Sequence, residues 1–128
     1  QYQNAHTKAW ADIIRQYDGY VIVTPEHNHS TSAALKNALD YVYAEWNNKA
    51  VGFVGYGSAQ GVRAVEHLRQ IVGELQMADV RTAVQLSLFT DFTDNASVFK
   101  PADLHLESLN TMLTQLNAWA GALKPLRQ

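Results

Sequence analysis

Apolar and polar positions follow two alternating periods along this chain. Between Gln3 and Tyr17, Ala9, Trp10, Ile13, Ile14 and Tyr17 recur at helical spacing opposite Lys8, Asp12, Arg15 and Gln16, which predicts an amphipathic helix. Asp18 and Gly19 end it. "YVIVT", Tyr20 to Thr24, is a β-branched run without alternation, the pattern of a strand covered on both faces. In "SAALKNALDYVYAEW" Leu35, Leu39, Val42 and Trp46 share one helical face, with Ser30, Thr31 or Ser32 available as the cap. "AVGFVGY", Ala50 to Tyr56, is a second short apolar run. "GSAQG" then turns into a helix striped by Val62, Val65, Leu68, Ile71, Val72 and Leu75. Val80 to Phe89 reads as a last strand, nearer an edge because it alternates. Thr90 to Pro101 is polar, lacks a period and is long for a connection, a candidate mobile or functional loop. Leu104, Leu106, Leu109, Met112, Leu113, Leu116 and Trp119 predict a closing helix from Ala102 to Leu123, with Asp103 near its start and Lys124 and Pro125 stopping it.

Buried strands alternating with helices imply an α/β fold: a parallel sheet with right-handed crossovers and helices on both faces. Ligands bind such sheets at the carboxyl ends of the strands. The polar loops Thr24 to Ser32 and Tyr56 to Gln60 both fall on that edge. At 128 residues the chain is expected to be one domain, 1–128, with a sizeable core.

Composition narrows the classes. An apolar fraction of 47% with 17% charged residues fits a globular protein, not a disordered one. A formal charge of −2 without clustered Lys and Arg argues against a nucleic-acid partner. The chain has no cysteine, so disulfides, thiolate zinc sites and thiol nucleophiles are excluded, and a cytoplasmic location is expected. No apolar run approaches the roughly 18 residues of a membrane span, and the first residues resemble no signal or transit peptide.

The loop "TPEHNHS", Thr24 to Ser30, admits three chemistries. Glu26, His27 and His29 are metal-ligand types, but His27 and His29 point to opposite sides of an extended loop and no third fixed ligand is evident. Ser30 or Ser58 beside a histidine suggests a nucleophile, yet neither lies in a G-x-S-x-G elbow, and Ser30 reads better as a helix cap. His6, His67 and His105 read as solvent-facing helix residues. The third chemistry is a main-chain mould for a planar ligand. Pro25 fixes φ, Glu26 and Asn28 hold a tight shape, Gly55, Gly57 and Gly61 admit a second backbone segment, and Tyr56 offers a ring.

"VTPEHNHSTSAALKNALDYVYAEW" followed by "KAVGFVGYGSAQGVRAVEHLRQI" resembles the NAD(P)H-dependent FMN reductase family, flavodoxin-like flavoproteins that include quinone, azo and chromate reductases. The first motif is similar to the family's T-P-E-Y-N-x-S with L-K-N-A-L-D, the second to its Y-G-S/G-x-x-G-x-R-A turn, and the resemblance covers most of the chain, from about Trp10 to about Leu88. The resemblance implies that Pro25, Glu26, His27 and Asn28 line the isoalloxazine and ribityl side of FMN, with His27 where the family usually has Tyr. It implies that Tyr56, Gly57, Ser58 and Ala59 wrap the pyrimidine edge, with Gln60 at a place where glycine is common. His29, Ser30, Lys36, Asn37 and Asp40 are expected to shape the loop, and Arg63 to make a structural, helix-surface salt bridge in preference to a contact near the site. NAD(P)H is the implied co-substrate, giving hydride to N5 of the flavin, and a quinone, free flavin or similar small molecule the implied acceptor. Thr90 to Pro101 is a candidate acceptor entrance. A homo-oligomer, dimer or tetramer, is implied, with Tyr41, Tyr43, Trp46 and Trp119 as interface candidates.

The family's first strand, phosphate loop, first helix and second strand are expected upstream of Gln1, making this an N-terminally incomplete domain with an exposed apolar edge at Tyr20 to Thr24 and weak flavin binding. Either the chain is part of a longer one, or it completes its sheet by association. The rival reading from another class is a non-catalytic flavodoxin-like interaction module.

Overall fold

The computed structural model describes residues 1–127. The two apolar runs and part of the third become a parallel sheet. Strand β1 (Gly19–Pro25) pairs with β2 (Ala50–Gly57) from Gly19↔Ala50 to Pro25↔Tyr56. On its other side β2 pairs with β3 (Ala78–Asp79) at its start and with β4 (Val84–Ser87) at its end, both parallel. The third strand predicted over Val80 to Phe89 is therefore displaced and split. The break is held by side chains: Arg69 donates to the Val80 and Arg81 carbonyls, and the Thr82 amide donates to Gln115 Oε1 at 3.0 Å.

Helices α1 (Ala5–Arg15), α2 (Ala33–Asp40) and α3 (Val62–Glu74) cover one face, and α4 (Leu104–Leu123) the other. Ile22, Val51 and Phe53 point into the first layer and pack with Ala11, Ile14, Leu39, Val65, Leu68 and Val72 in one buried cluster. Alternation along β2 turns Gly52 to the other face, against the Met112 side chain of α4. Each buried large side chain contributes about 1.5–3 kcal/mol, so this layer supplies most of the drive to fold.

Several expectations change. α2 ends at Asp40 and does not run on to Trp46, because the indole N–H groups of Trp10 and Trp46 take the Ala38 and Leu39 carbonyls and the chain re-enters only as a short 3-10 turn, Ala44–Trp46. Trp46 is thereby buried at 3% exposure and belongs to the core, not to an interface. Ile13 of α1 and Tyr17, just past its end, lie outside the core that Ala11 and Ile14 enter. In α4 only Met112 and Leu116 are buried; its first turns stand off from β2 and β4 and leave an apolar cleft of about 400 Å³ lined by Val54, Val84, Leu86, Phe99, Leu106 and Leu109. β1 pairs with β2 alone among the described residues, and past Gly19, which lies against Leu116 and Ala120 of α4, its second face is open: Val21 and Val23 are 40% and 60% exposed.

The segment Thr90 to Pro101 is not without structure. It carries a small antiparallel hairpin, β5 (Phe92–Thr93) with β6 (Val98–Phe99), tied down by the buried Asp91. The Asp91 carboxylate accepts from the Ser87 amide at 2.8 Å, the Ala102 amide at 3.0 Å and His105 Nε2 at 2.8 Å. Burial alone would raise this carboxyl's pKa, but the two amides and His105 outweigh it and hold the pKa below the ordinary range. His105, expected to face solvent, is a partner in this clasp.

Candidate functional site

β1 and β2 end side by side, so their loops start side by side. Glu26 N–H donates to the Tyr56 carbonyl at 3.1 Å, and a Cβ added at Gly57 would lie 3.3 Å from the Glu26 Cβ. The first loop then reverses in a tight hairpin. His27 and Ser30 exchange main-chain hydrogen bonds of 2.8 and 3.1 Å, with positive φ at Asn28 (48°) and His29 (74°), the signature of a type I′ turn. Thr24, fully buried, bonds Thr31 across the base of the loop at 2.9 Å. Ser32, not Ser30, caps α2 by accepting from Leu35 N–H. Ser30 instead meets His67 Nδ1 at 2.8 Å, so exposed His67 also supports the loop.

The second loop turns within Gly57 to Gly61: the Gln60 amide reaches the Gly57 carbonyl, and φ is positive at Gln60 (62°) and Gly61 (71°). Gly61 sits against the main chain of Gly55 and Tyr56 and opens α3.

Glu26 joins the two loops. Oε1 accepts from the Arg63 and Ala64 amides at 2.8 and 3.2 Å, while Oε2 receives the Arg63 guanidinium through Nε at 2.9 Å and through Nη2. The carboxylate is 4% exposed. Arg63 lowers its pKa most strongly, and the two amides reinforce this against the opposing effect of burial. Arg63 Nη1 also donates to His29 Nδ1 at 2.9 Å. Arg63 has an ion pair, but with Glu26 of the first loop and not along the surface of its own helix, so it stands beside the candidate site, whereas Lys36 and Asp40 pair with each other along α2 and do not reach the loop.

With Glu26 occupied, the loops retain free main-chain donors beside the exposed polar side chains of His27, Asn28 and Ser58. The N–H groups of Asn28, His29, Ser58 and Ala59 have no acceptor among the described residues. His27, Asn28 and Ser58 are exposed, and Pro25, Glu26, Tyr56 and Ala59 half-buried. No group of three or more metal-ligating side chains occurs among the described residues. Asp91 and Lys49, both buried with defined partners, escaped the sequence reading because no motif marks them.

The parallel sheet with helices on both faces and paired loops at the carboxyl ends of β1 and β2 defines a flavodoxin-like α/β protein. Two flavoenzyme structures share this fold: FerB, an NAD(P)H:(acceptor) oxidoreductase from Paracoccus denitrificans (TM-score 0.62, 17% identity, 98% of this chain and 75% of that one), and an NADH:FMN oxidoreductase in its apo form (TM-score 0.64, 19% identity, 93% and 60%). The family described as NADPH-dependent FMN reductase matches residues 1–91, and the chain belongs to that family. An NAD(P)H-dependent FMN reductase of Schizosaccharomyces pombe is 42% identical over 90 residues, 70% of this chain and 45% of that protein. An NAD(P)H-dependent FMN reductase of Nectria sp is 34% identical over 94 residues, 71% and 47%, and a quinone reductase of Escherichia coli K12 is 40% identical over 74 residues, 53% and 39%. The chain spans about half the length of the curated relatives it matches. Among the described residues no helix is long and apolar enough to cross a membrane.

Proposed function

We propose that this chain supplies the two loops that hold the ring system of FMN in an NAD(P)H-dependent FMN oxidoreductase, whose electrons pass to a quinone, free flavin or similar small molecule. Pro25, Glu26, His27 and Asn28 form one wall, and Tyr56, Gly57, Ser58 and Ala59 the other. One observation carries the reading: four unpartnered main-chain N–H groups lie on adjacent loops that Glu26 locks together. Such donors suit the carbonyl and nitrogen edge of a flat heterocycle, and the Tyr56 and His27 rings offer flat surfaces beside them. Glu26 contributes position and not a hydrogen bond, since its oxygens serve α3.

FMN, when bound, supplies the hydride and electron chemistry. The protein's part is to orient the ring and restrict water. Oligomer formation through Tyr41, Tyr43 and Trp119, all exposed, and a cytoplasmic setting go with this reading.

Titration of FMN against the chain, read by quenching of flavin fluorescence, tests it, followed by NAD(P)H oxidation in the presence of added FMN. Saturable quenching and flavin-dependent oxidation are expected. A folded chain that shows no quenching at saturating FMN leaves the non-catalytic interaction module as the function.

A further inference from the structure

At the amino ends of the strands, the edge opposite the two loops, lies a second cavity of about 440 Å³ lined by Arg15, Ala44, Glu45, Lys49 and Arg127. Three separate elements bring its cations together: the end of α1, the residue before β2, and the last turn of the described chain. Two of the cations have carboxylate partners. Arg15 pairs with Asp12 and Glu45, and Arg127 with Asp18. Lys49 has none among the described residues. It is only 3% exposed, and its Nζ donates to two neutral oxygens, the Ile14 carbonyl at 2.7 Å and Tyr20 Oη at 3.3 Å. An ammonium has three N–H donors, so one remains. A buried ammonium without a counter-ion is costly, and burial holds the Lys49 pKa below its ordinary value, with Arg127 reinforcing the effect.

Glu45 sets the chemistry of what this cavity accepts. Its side chain is 7% exposed, one oxygen taking Arg15 and the other the Tyr2 hydroxyl at 2.7 Å. A carboxylate oxygen has two lone-pair positions, so acceptor capacity is left on a group that repels a fully deprotonated anion. An anion that carries its own O–H can satisfy both sides, accepting from Lys49 and the guanidinium groups while donating to Glu45.

We propose that this cavity binds a small hydroxyl-bearing oxyanion, hydrogen phosphate being the fitting member, as the counter-ion of Lys49. The site is separate from the flavin loops and does not depend on the reading given for them.

Calorimetric titration of the chain with inorganic phosphate and with sulfate, at pH 7.5 and constant ionic strength, tests it. Phosphate binds saturably and about tenfold more tightly than sulfate, because only phosphate can place a proton between itself and the Glu45 carboxylate, whereas sulfate sets lone pairs against it at a cost of about one charge-assisted hydrogen bond. Lys49→Met loses about tenfold in phosphate affinity, the worth of one charge-assisted bond. This variant keeps a partner on the Ile14 carbonyl, since Tyr20 Oη still donates there. Arg15→Gln, at a side chain 60% exposed, provides a second variant whose fold is not at stake and weakens phosphate several-fold. Glu45→Gln brings phosphate and sulfate affinities together. Absence of saturable phosphate binding, equal binding of the two anions by the unmodified chain, or undiminished affinity in both cation variants overturns the proposal.

Discussion

Replacing Gly61 by alanine probes the joint between β2 and α3. A Cβ added there would lie 2.6 Å from Tyr56 N and 2.7 Å from both C and Cα of Gly55, on a residue whose φ is +71°. Two costs arise together. An L-residue held in the left-handed region loses about 1–2 kcal/mol, and forced overlap in a packed interior about 1–3 kcal/mol. The upper part of the second range applies, because the obstructing atoms are main chain and Gly55 is paired on both sides, with Thr24 and Gln85. Neither neighbour yields without disturbing the ladder. The sum is about 3–5 kcal/mol, or roughly 10–20 °C in Tm for a domain of this size. Gly73, in the same helix, is the control: no atom lies within 4 Å of its added Cβ and its φ is ordinary, so Gly73→Ala gains about 0.5–1 kcal/mol. Urea unfolding followed by circular dichroism measures both, with an unchanged slope required so that the difference refers to the native state. If Gly61→Ala unfolds at the same urea concentration as the unsubstituted chain, the close approach of α3 to β2 described above is wrong, and with it the placement of the second loop.

Three further outcomes follow from named contacts. Glu26→Gln keeps the shape but places an amide N–H₂ against the Arg63 donors; with Arg63 partly solvated the loss is about 1–2 kcal/mol at pH 7. The pKa of Glu26 is lowered in the fold, so its contribution is complete above the unfolded pKa near 4.5 and disappears as pH falls through the folded value. Unfolding curves of the two chains should therefore converge in acid, and a gap that persists there assigns the effect to shape and not charge. The Asp91 clasp obeys the same sign: its pKa is lowered below 3.8, so hydrogen exchange at the Ser87 and Ala102 amides should accelerate in acid beyond the intrinsic rate and, in Asp91→Asn, at neutral pH, with a stability loss of about 2–3 kcal/mol. Protection unchanged by the substitution would show that the clasp does not hold the hairpin. Trp46→Ala should cost about 3–5 kcal/mol in thermal unfolding and Trp119→Ala less than about 0.5, as their exposures of 3% and 53% require; similar losses at the two sites would contradict the assignment of Trp46 to the core.

The layer order was legible because it rests on periods that tertiary contacts did not override: Val65, Leu68 and Val72 fall where a helical stripe puts them, and Val51 and Phe53 where a pleat does. Loop positions followed from strand ends. Boundaries failed where a distant group supplied the deciding bond. Nothing between Ser32 and Trp46 says that two indoles will take the carbonyls of Ala38 and Leu39 and stop α2 at Asp40. The break in the third strand depends in the same way on Arg69 and Gln115. Asp91 lies in a segment without periodicity and His105 fourteen positions on, in the first turn of α4, so their pairing left no local trace. The motif TPEHNHS marked the first loop correctly as a shaped turn, but the direction of the Glu26 carboxylate was invisible, because its partners come from a helix that starts 36 residues later in the sequence.

That direction has a cause in Gly61. A helix start leaves N–H groups that a side chain at the capping position usually serves, and Ser32 does this for α2. α3 cannot be served so, since the close approach to β2 admits no Cβ at its capping residue. Its second and third amides, those of Arg63 and Ala64, must find an acceptor elsewhere, and Glu26, delivered beside them by the pairing of Pro25 with Tyr56, provides it. A packing constraint on one glycine thus becomes a bond between two loops. The consequence for the proposed site is that the two loops are tied to each other by a buried carboxylate, so a ligand held between Asn28 and Ser58 as proposed would meet walls whose spacing is set before it arrives.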